Sequence, residues 1–248
     1  MKRFYIFLPL IALCLSIKSN EKHTSQIETI VLGSGCFWGA EKGYEALEGV
    51  EDAVAGYADG YGIKPTYRDI TKYKNKYKRN NFAEVVKVTF NNQIISLRSL
   101  LEHYYESHDP TQINRQGNDI GTQYRSTILY TKASQKKIID ETTSEFQKLL
   151  SDEGYGEIQT LIKSLDEFYD AEEYHQDYIK KNPNGYCPDH STGVAFNKIE
   201  VPNIDNSLLL SGKYVLVIDS QDYCPYCEKF KNDVANDYQG SIPMVYRT

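Results

Sequence analysis

Positive charge is in short supply: 28 Lys and Arg residues face 34 Asp and Glu, a formal net charge of −6. That balance excludes a protein drawn to nucleic acid by its overall field. Long apolar runs are lacking too. The run from Phe4 to Ile17 is too short for a comfortable membrane span. There is no internal repeat and no low-complexity tract, which excludes repeat architectures. Tryptophan occurs once, as Trp38, and cysteine five times. At 248 residues the chain suffices for one substantial domain plus something smaller.

What is present begins with a leader. Lys2 and Arg3, the apolar run and Ser19 have the layout of a secretory signal over residues 1–20. An uncleaved N-terminal anchor is the rival reading. Cys14 follows Leu13, where a lipoprotein signal has a small residue, so it is not read as a lipid anchor. The expectation is an exported protein, periplasmic or membrane-anchored and facing the periplasm. Without the leader four cysteines remain: Cys36, Cys187, Cys224 and Cys227. An even set in an exported protein suggests disulfides, permanent or cycling. Spacing makes Cys224 and Cys227 a natural pair, leaving Cys36 and Cys187.

Three regions follow. Residues 27–200 mix strand and helix patterns. Strands are expected at Ile27–Leu32, Glu84–Phe90 and Tyr124–Tyr130, and helices at Leu97–Tyr105 and Ser134–Leu150. The second helix would set Ile138, Phe146, Leu149 and Leu150 among its apolar positions. This alternation with long loops predicts an α+β fold, a two-layer α/β sandwich. Residues 201–211 read as a linker, and 212–248 as a short, incomplete β-α-β tail with strands at Tyr214–Ile218 and Ile242–Tyr246. One basic run, Lys72 to Arg79, interleaves lysines with tyrosines. It reads as a solvated loop, with RNA contact as the alternative.

The most informative residue is Cys36. The strand pattern before it ends in Gly33-Ser34-Gly35, and Phe37, Ala40, Tyr44 and Leu47 then recur at helical spacing. A cysteine at such a junction meets unpaired N–H groups and the positive end of the helix dipole, which favour a thiolate.

Around it, Gly35-Cys36-Phe37-Trp38-Gly39-Ala40-Glu41 resembles the signature of type A peptide methionine sulfoxide reductases. Three further segments resemble that family's motifs in order. They are His108-Asp109-Pro110-Thr111, the stretch from Asn114 through Asp119 to Ser126, and Ala171-Glu172-Glu173-Tyr174-His175-Gln176-Asp177-Tyr178. The resemblance implies reduction of methionine S-sulfoxide, free or in proteins, without a bound cofactor or metal. Cys36 would be the attacking thiol and pass through a sulfenic acid. Glu84 would donate the proton. Phe37 and Trp38 would wall a methyl pocket, Tyr67 and Tyr124 would bond the sulfoxide oxygen, and Asp119 would order the site. Cys187 would attack the sulfenic acid and form a Cys36–Cys187 disulfide. An external thiol such as thioredoxin would complete the cycle. Implied partners are oxidised proteins or peptides and a thioredoxin-like reductant, with no nucleic acid, around a monomer. The sequence departs from the family at Phe82, commonly His, and at Pro188-Asp189-His190, where some members have glycines.

Cys224-Pro225-Tyr226-Cys227 resembles the redox site of glutaredoxins and thioredoxin-fold proteins. The resemblance implies a low-pKa Cys224 resolved by Cys227, a pair that could reduce the Cys36–Cys187 disulfide. A tail this short should not hold a core alone, and truncation is the expectation. Two rival readings remain. Cys187-x-x-His190 with Cys224-x-x-Cys227 has zinc-ligand spacing and would stabilise the tail of a binding protein. A cysteine-dependent hydrolase would instead use Cys36 with His108 or His175 as base.

Overall fold

Side chains along Ile27–Ser34 (β1) alternate between two faces, Ile30 and Leu32 to one and Val31 to the other. The computed structural model describes residues 26–196 and, beyond them, the backbone of 215–218 and 244–247. The expected leader, the linker, and Cys224 with Cys227 lie outside the described residues. Two units are distinguished, Met1–Lys198 and Ile199–Thr248.

In the first unit β1 is central. It pairs antiparallel with β3 (Ala83–Asn91) and with β6 (Ser126–Tyr130). β2 (Val50–Ala58), β7 (Leu161–Ser164) and β8 (Phe168–Asp170) complete a sheet of order β7-β6-β1-β3-β2-β8. Within this sheet of the described residues, β6 and β7 pair in parallel and the other neighbours antiparallel. Helices α1 (Phe37–Glu45), α3 (Leu97–Glu106) and α4 (Gln135–Asp152) bury Tyr44, Leu100, Leu101, Tyr104, Ile139 and Phe146 in one cluster with Ile30, Leu32, Val86 and Val88. The other cluster is small: Val31, Ala58, Ala83, Val85 and Leu129. This is the two-layer α/β sandwich that the sequence predicts. No helix among the described residues is long and apolar enough to cross a membrane.

Three differences have local causes. The strand expected from Tyr124 starts at Ser126, because Thr122–Tyr124 forms a 3-10 turn. The Arg125 guanidinium holds that turn by donating to the Thr122 carbonyl at 2.6 Å. Ile138 proves 37 % exposed, and Ile139 takes the core position beside it. β2 has no clear alternation in the sequence, since Val50 is followed by Glu51 and Asp52 and the strand buries mainly alanines. In the second unit β9 (Val215–Ile218) and β10 (Met244–Arg247) pair in parallel and fall on the two segments read as strands.

Candidate active site

Gly35 has φ +101°, a backbone that side-chain-bearing residues rarely adopt, and a Cβ there would lie 2.8 Å from Gln116 Cγ. The turn it makes leaves Cys36 as the N-cap of α1, with no side-chain cap bond. Cys36, Phe37 and Trp38 then face a cavity of about 280 Å³. Glu84 from β3, Tyr67 from α2 (Tyr67–Thr71), Asp119 from β5 (Asp119–Ile120, paired with β4, Arg115–Gln116) and Tyr124 from the 3-10 turn complete its walls. Tyr186, unassigned from the sequence, joins them.

Cys187 is not in that cavity. It lines an adjoining one of about 160 Å³ with Cys36, Gly39, His103 and His190, so Cys36 is common to both. A Cβ on Gly39 would stand 3.0 Å from the Cys187 sulfur, so the glycine makes room for it. Both cysteines are free thiols, Cys36 half-buried and Cys187 exposed. Asp119 lies beside the segment around Cys187. Its Oδ1 accepts from the Tyr186 hydroxyl at 3.4 Å, and His190 Nε2 lies 3.7 Å from its Oδ2.

The electrostatics correct one expectation. Burial pushes the Cys36 thiol up, and the Glu84 carboxylate adds to this. The Trp38 backbone N–H acts the other way, as a helix start should, but desolvation wins. Glu84 is 1 % exposed. Burial pushes its carboxyl up to about 8, against the opposing bond from the Phe37 N–H to Oε2 at 3.3 Å. Its Oε1 has no hydrogen-bond partner among the described residues. At neutral pH Glu84 is therefore protonated, which also removes its charge from beside the sulfur. Burial likewise raises Tyr67, to about 12, and Tyr124.

A supporting shell fixes these groups. Trp38 stacks on Tyr178 at 3.7 Å and donates from Nε1 to His175 Nδ1 at 3.0 Å. Glu172 accepts from the Tyr57 hydroxyl at 2.7 Å and from the Tyr67 N–H at 2.9 Å. Glu41 accepts from the Ala55 N–H at 3.3 Å and the Asp177 N–H at 2.9 Å, tying α1 to β2 and to the turn before Tyr178. Arg125, next to Tyr124, clamps Asp59 through two bonds of 2.9 and 2.7 Å. The sequence places Glu172, His175 and Tyr178 in a motif without giving them these partners. Nothing in residue spacing reveals the Asp59–Arg125 pair.

The rival chemistries fare poorly. His108 is buried and pushed down to about 4 by desolvation. Its Nδ1 donates to the Tyr104 carbonyl and its Nε2 accepts from the Ser126 hydroxyl, at 2.6 and 2.8 Å, leaving no nitrogen for Cys36. His175 spends Nδ1 on Trp38, and its Nε2 lies 3.9 Å from Glu172 Oε2. Of the zinc set, Cys224 and Cys227 lie outside the described residues, and His190 faces Asp119. Phe82, where His is common, packs its ring against Gly60 and edge-on to Tyr169.

Known proteins give the same answer. Residues 28–202 match the family model described as peptide methionine sulfoxide reductase. A peptide methionine sulfoxide reductase MsrA of Corynebacterium kroppenstedtii is 46% identical over 67% of this chain and 76% of its own. The mitochondrial peptide methionine sulfoxide reductase of Homo sapiens is 46% identical over 66% and 68%. The solved methionine sulfoxide reductase A of Corynebacterium diphtheriae superposes with a TM-score of 0.61 at 40% identity, over 70% of this chain and 84% of that one. A helix-capping cysteine beside a buried acid, on a sandwich shared with these relatives, leaves one assignment: the chain belongs to the type A peptide methionine sulfoxide reductases, which reduce methionine sulfoxide with thiols.

Proposed function

We propose that the chain reduces methionine S-sulfoxide, free or within proteins, in two thiol steps centred on Cys36. The observation that carries this reading is the unpaired oxygen of buried Glu84 in the cavity that Cys36 lines. In the first step Cys36 sulfur attacks the sulfoxide sulfur while Glu84 protonates the sulfoxide oxygen. The hydroxyl so formed passes to the Cys36 sulfur as the substrate's S–O bond and the transient Cys36–substrate S–S bond break, so that methionine leaves and Cys36 becomes a sulfenic acid. The proton that Cys36 gives up restores Glu84, so the raised thiol costs no net charge. Phe37 and Trp38 offer the methyl group an apolar wall, and Tyr67 and Tyr124 offer hydroxyls to the oxygen.

In the second step Cys187 attacks the sulfenic acid, forming the Cys36–Cys187 disulfide and releasing water. The exposure of Cys187 and its place in the cavity next door support this. An external dithiol of the thioredoxin type then reduces the disulfide, with no bound cofactor. The N-terminal charge and apolar run support export, so that the repair would run outside the cytoplasm.

The test is reduction of methionine S-sulfoxide by the purified chain with dithiothreitol. Cys36→Ser should abolish turnover. Cys187→Ser should form one methionine per chain and then fail to be recycled by thioredoxin. Undiminished recycling in that variant would remove Cys187 from the cycle.

A further inference from the structure

We propose that the basic, tyrosine-rich face formed by residues 61–79 docks acidic, unfolded segments of oxidised polypeptides and leads their methionine sulfoxide into the Cys36 cavity. The proposal rests on the reductase reading and names its substrate class. Seven basic residues and a single acid, Asp69, lie in this stretch of a chain whose net charge is −6. Lys72 pairs with that acid at 2.8 Å. Lys64, Lys74, Lys78 and Arg79 are exposed and form no ion pair among the described residues. Their field is therefore uncompensated locally and complements a run of Asp and Glu.

Apolar contact surface accompanies the charge. Tyr61 is 84% exposed, Ile63 90%, Tyr73 83% and Tyr77 65%. Tyr73 and Tyr77 meet edge-on at 6.3 Å and Tyr61 and Ile63 line one cavity, and exposed apolar side chains clustered in this way mark an interaction surface. A cavity of about 350 Å³ opens beside Tyr61 and Ile63, walled also by Pro65, Ile70, Lys78 and Phe82. It is large enough to seat side chains of an extended segment.

The face is fastened to the catalytic cavity at both ends. It enters α2 at Tyr67, a wall of that cavity. Beyond the lysines the Lys76 carbonyl accepts from the Thr122 N–H at 2.8 Å, and Thr122 opens the 3-10 turn that carries Tyr124. Asn75 donates back to the Asp69 carbonyl at 2.6 Å, and Asn81 to the Ile70 carbonyl at 3.0 Å. The lysines thus stand on a loop pinned beside the substrate tyrosines. Polypeptide fits better than RNA, because a polyanion longer than the patch would meet the acidic remainder of the chain.

Two synthetic peptides with a central methionine S-sulfoxide, flanked by glutamates or by lysines, test this with the full chain and dithiothreitol. At low salt the glutamate peptide should have a kcat/KM roughly 10-fold higher, carried by KM, and the gap should shrink to about 2-fold in 0.5 M NaCl. The variant Lys74→Glu/Lys78→Glu/Arg79→Glu should lose or reverse the preference and keep wild-type turnover of free methionine sulfoxide. Equal kcat/KM for both peptides in the wild type, or an unchanged preference in the variant, would overturn the proposal. Tighter binding of an oligouridylate than of the glutamate peptide would overturn it in favour of RNA. Failure of the wild type on free methionine sulfoxide would instead overturn the reductase reading itself.

Discussion

Glu41, on α1, and Glu84, against the start of α1, are both almost fully buried, at 2% and 1% exposed. Desolvation drives both carboxyls up, to about 7 and about 8. Their partners differ. Glu41 receives one backbone N–H on each oxygen, from Ala55 and Asp177. Glu84 receives one, from Phe37, and keeps Oε1 unpaired in a cavity that Cys36 shares. Burial alone therefore does not mark a catalytic acid. A satisfied buried carboxyl holds elements together, whereas one left with a free oxygen beside a nucleophile is equipped to transfer a proton.

The largest effect that separates them should come from Glu84→Gln. Steady-state kinetics should show kcat/KM lower by about 10²- to 10³-fold, with the fold intact by circular dichroism. Next in size is the opposite profile at Glu41. Glu41→Gln keeps one acceptor of two, so thermal or urea unfolding should show a loss of ~1–3 kcal/mol, while kcat/KM changes by only a few-fold. Nearly equal losses of activity in the two variants would break the comparison.

Stability against pH gives a smaller, signed effect. Each carboxyl has a folded-state pKa above its unfolded value of 4.5. Between the two values the folded state holds more protons, so stability is fully present below about 4.5 and falls as pH rises through about 7 and about 8. Urea titrations from pH 4 to pH 9 should show this decline in the wild type and a flatter line in each Gln variant. The smallest effect is expected at Trp38→Phe, which loses the bond to His175 and part of the Tyr178 stack. It should raise KM by a few-fold through a looser methyl wall, measured on free methionine sulfoxide.

The sequence makes Glu84 more legible than Glu41. The family resemblance singles Glu84 out, although a charged residue in a strand whose Lys87, Thr89 and Asn91 stay half-exposed would otherwise read as solvent-facing. Glu41 follows Ala40 in a helix that also carries Lys42 and Glu45, where a charged residue ordinarily meets water. Its partners lie 14 and 136 positions away, beyond any local pattern. The convergence of Phe37, Trp38, Tyr67, Asp119 and Tyr124 on one cavity follows from motif resemblance, since periodicity carries no information on which loops meet. The strand-to-helix junction at Cys36 was legible, but the acidity of its thiol was not. Helix position is local, whereas desolvation depends on the whole fold.

The central claim, that Glu84 supplies the proton and Glu41 only scaffolds, is tested most directly by rapid-quench methionine formation across pH. Wild type and Glu41→Gln should both show a single-turnover rate that falls as pH rises through about 8, where Glu84 loses its proton. Glu84→Gln should be slow throughout and lack that limb. A wild-type limb retained in Glu84→Gln, or lost in Glu41→Gln, would contradict the account.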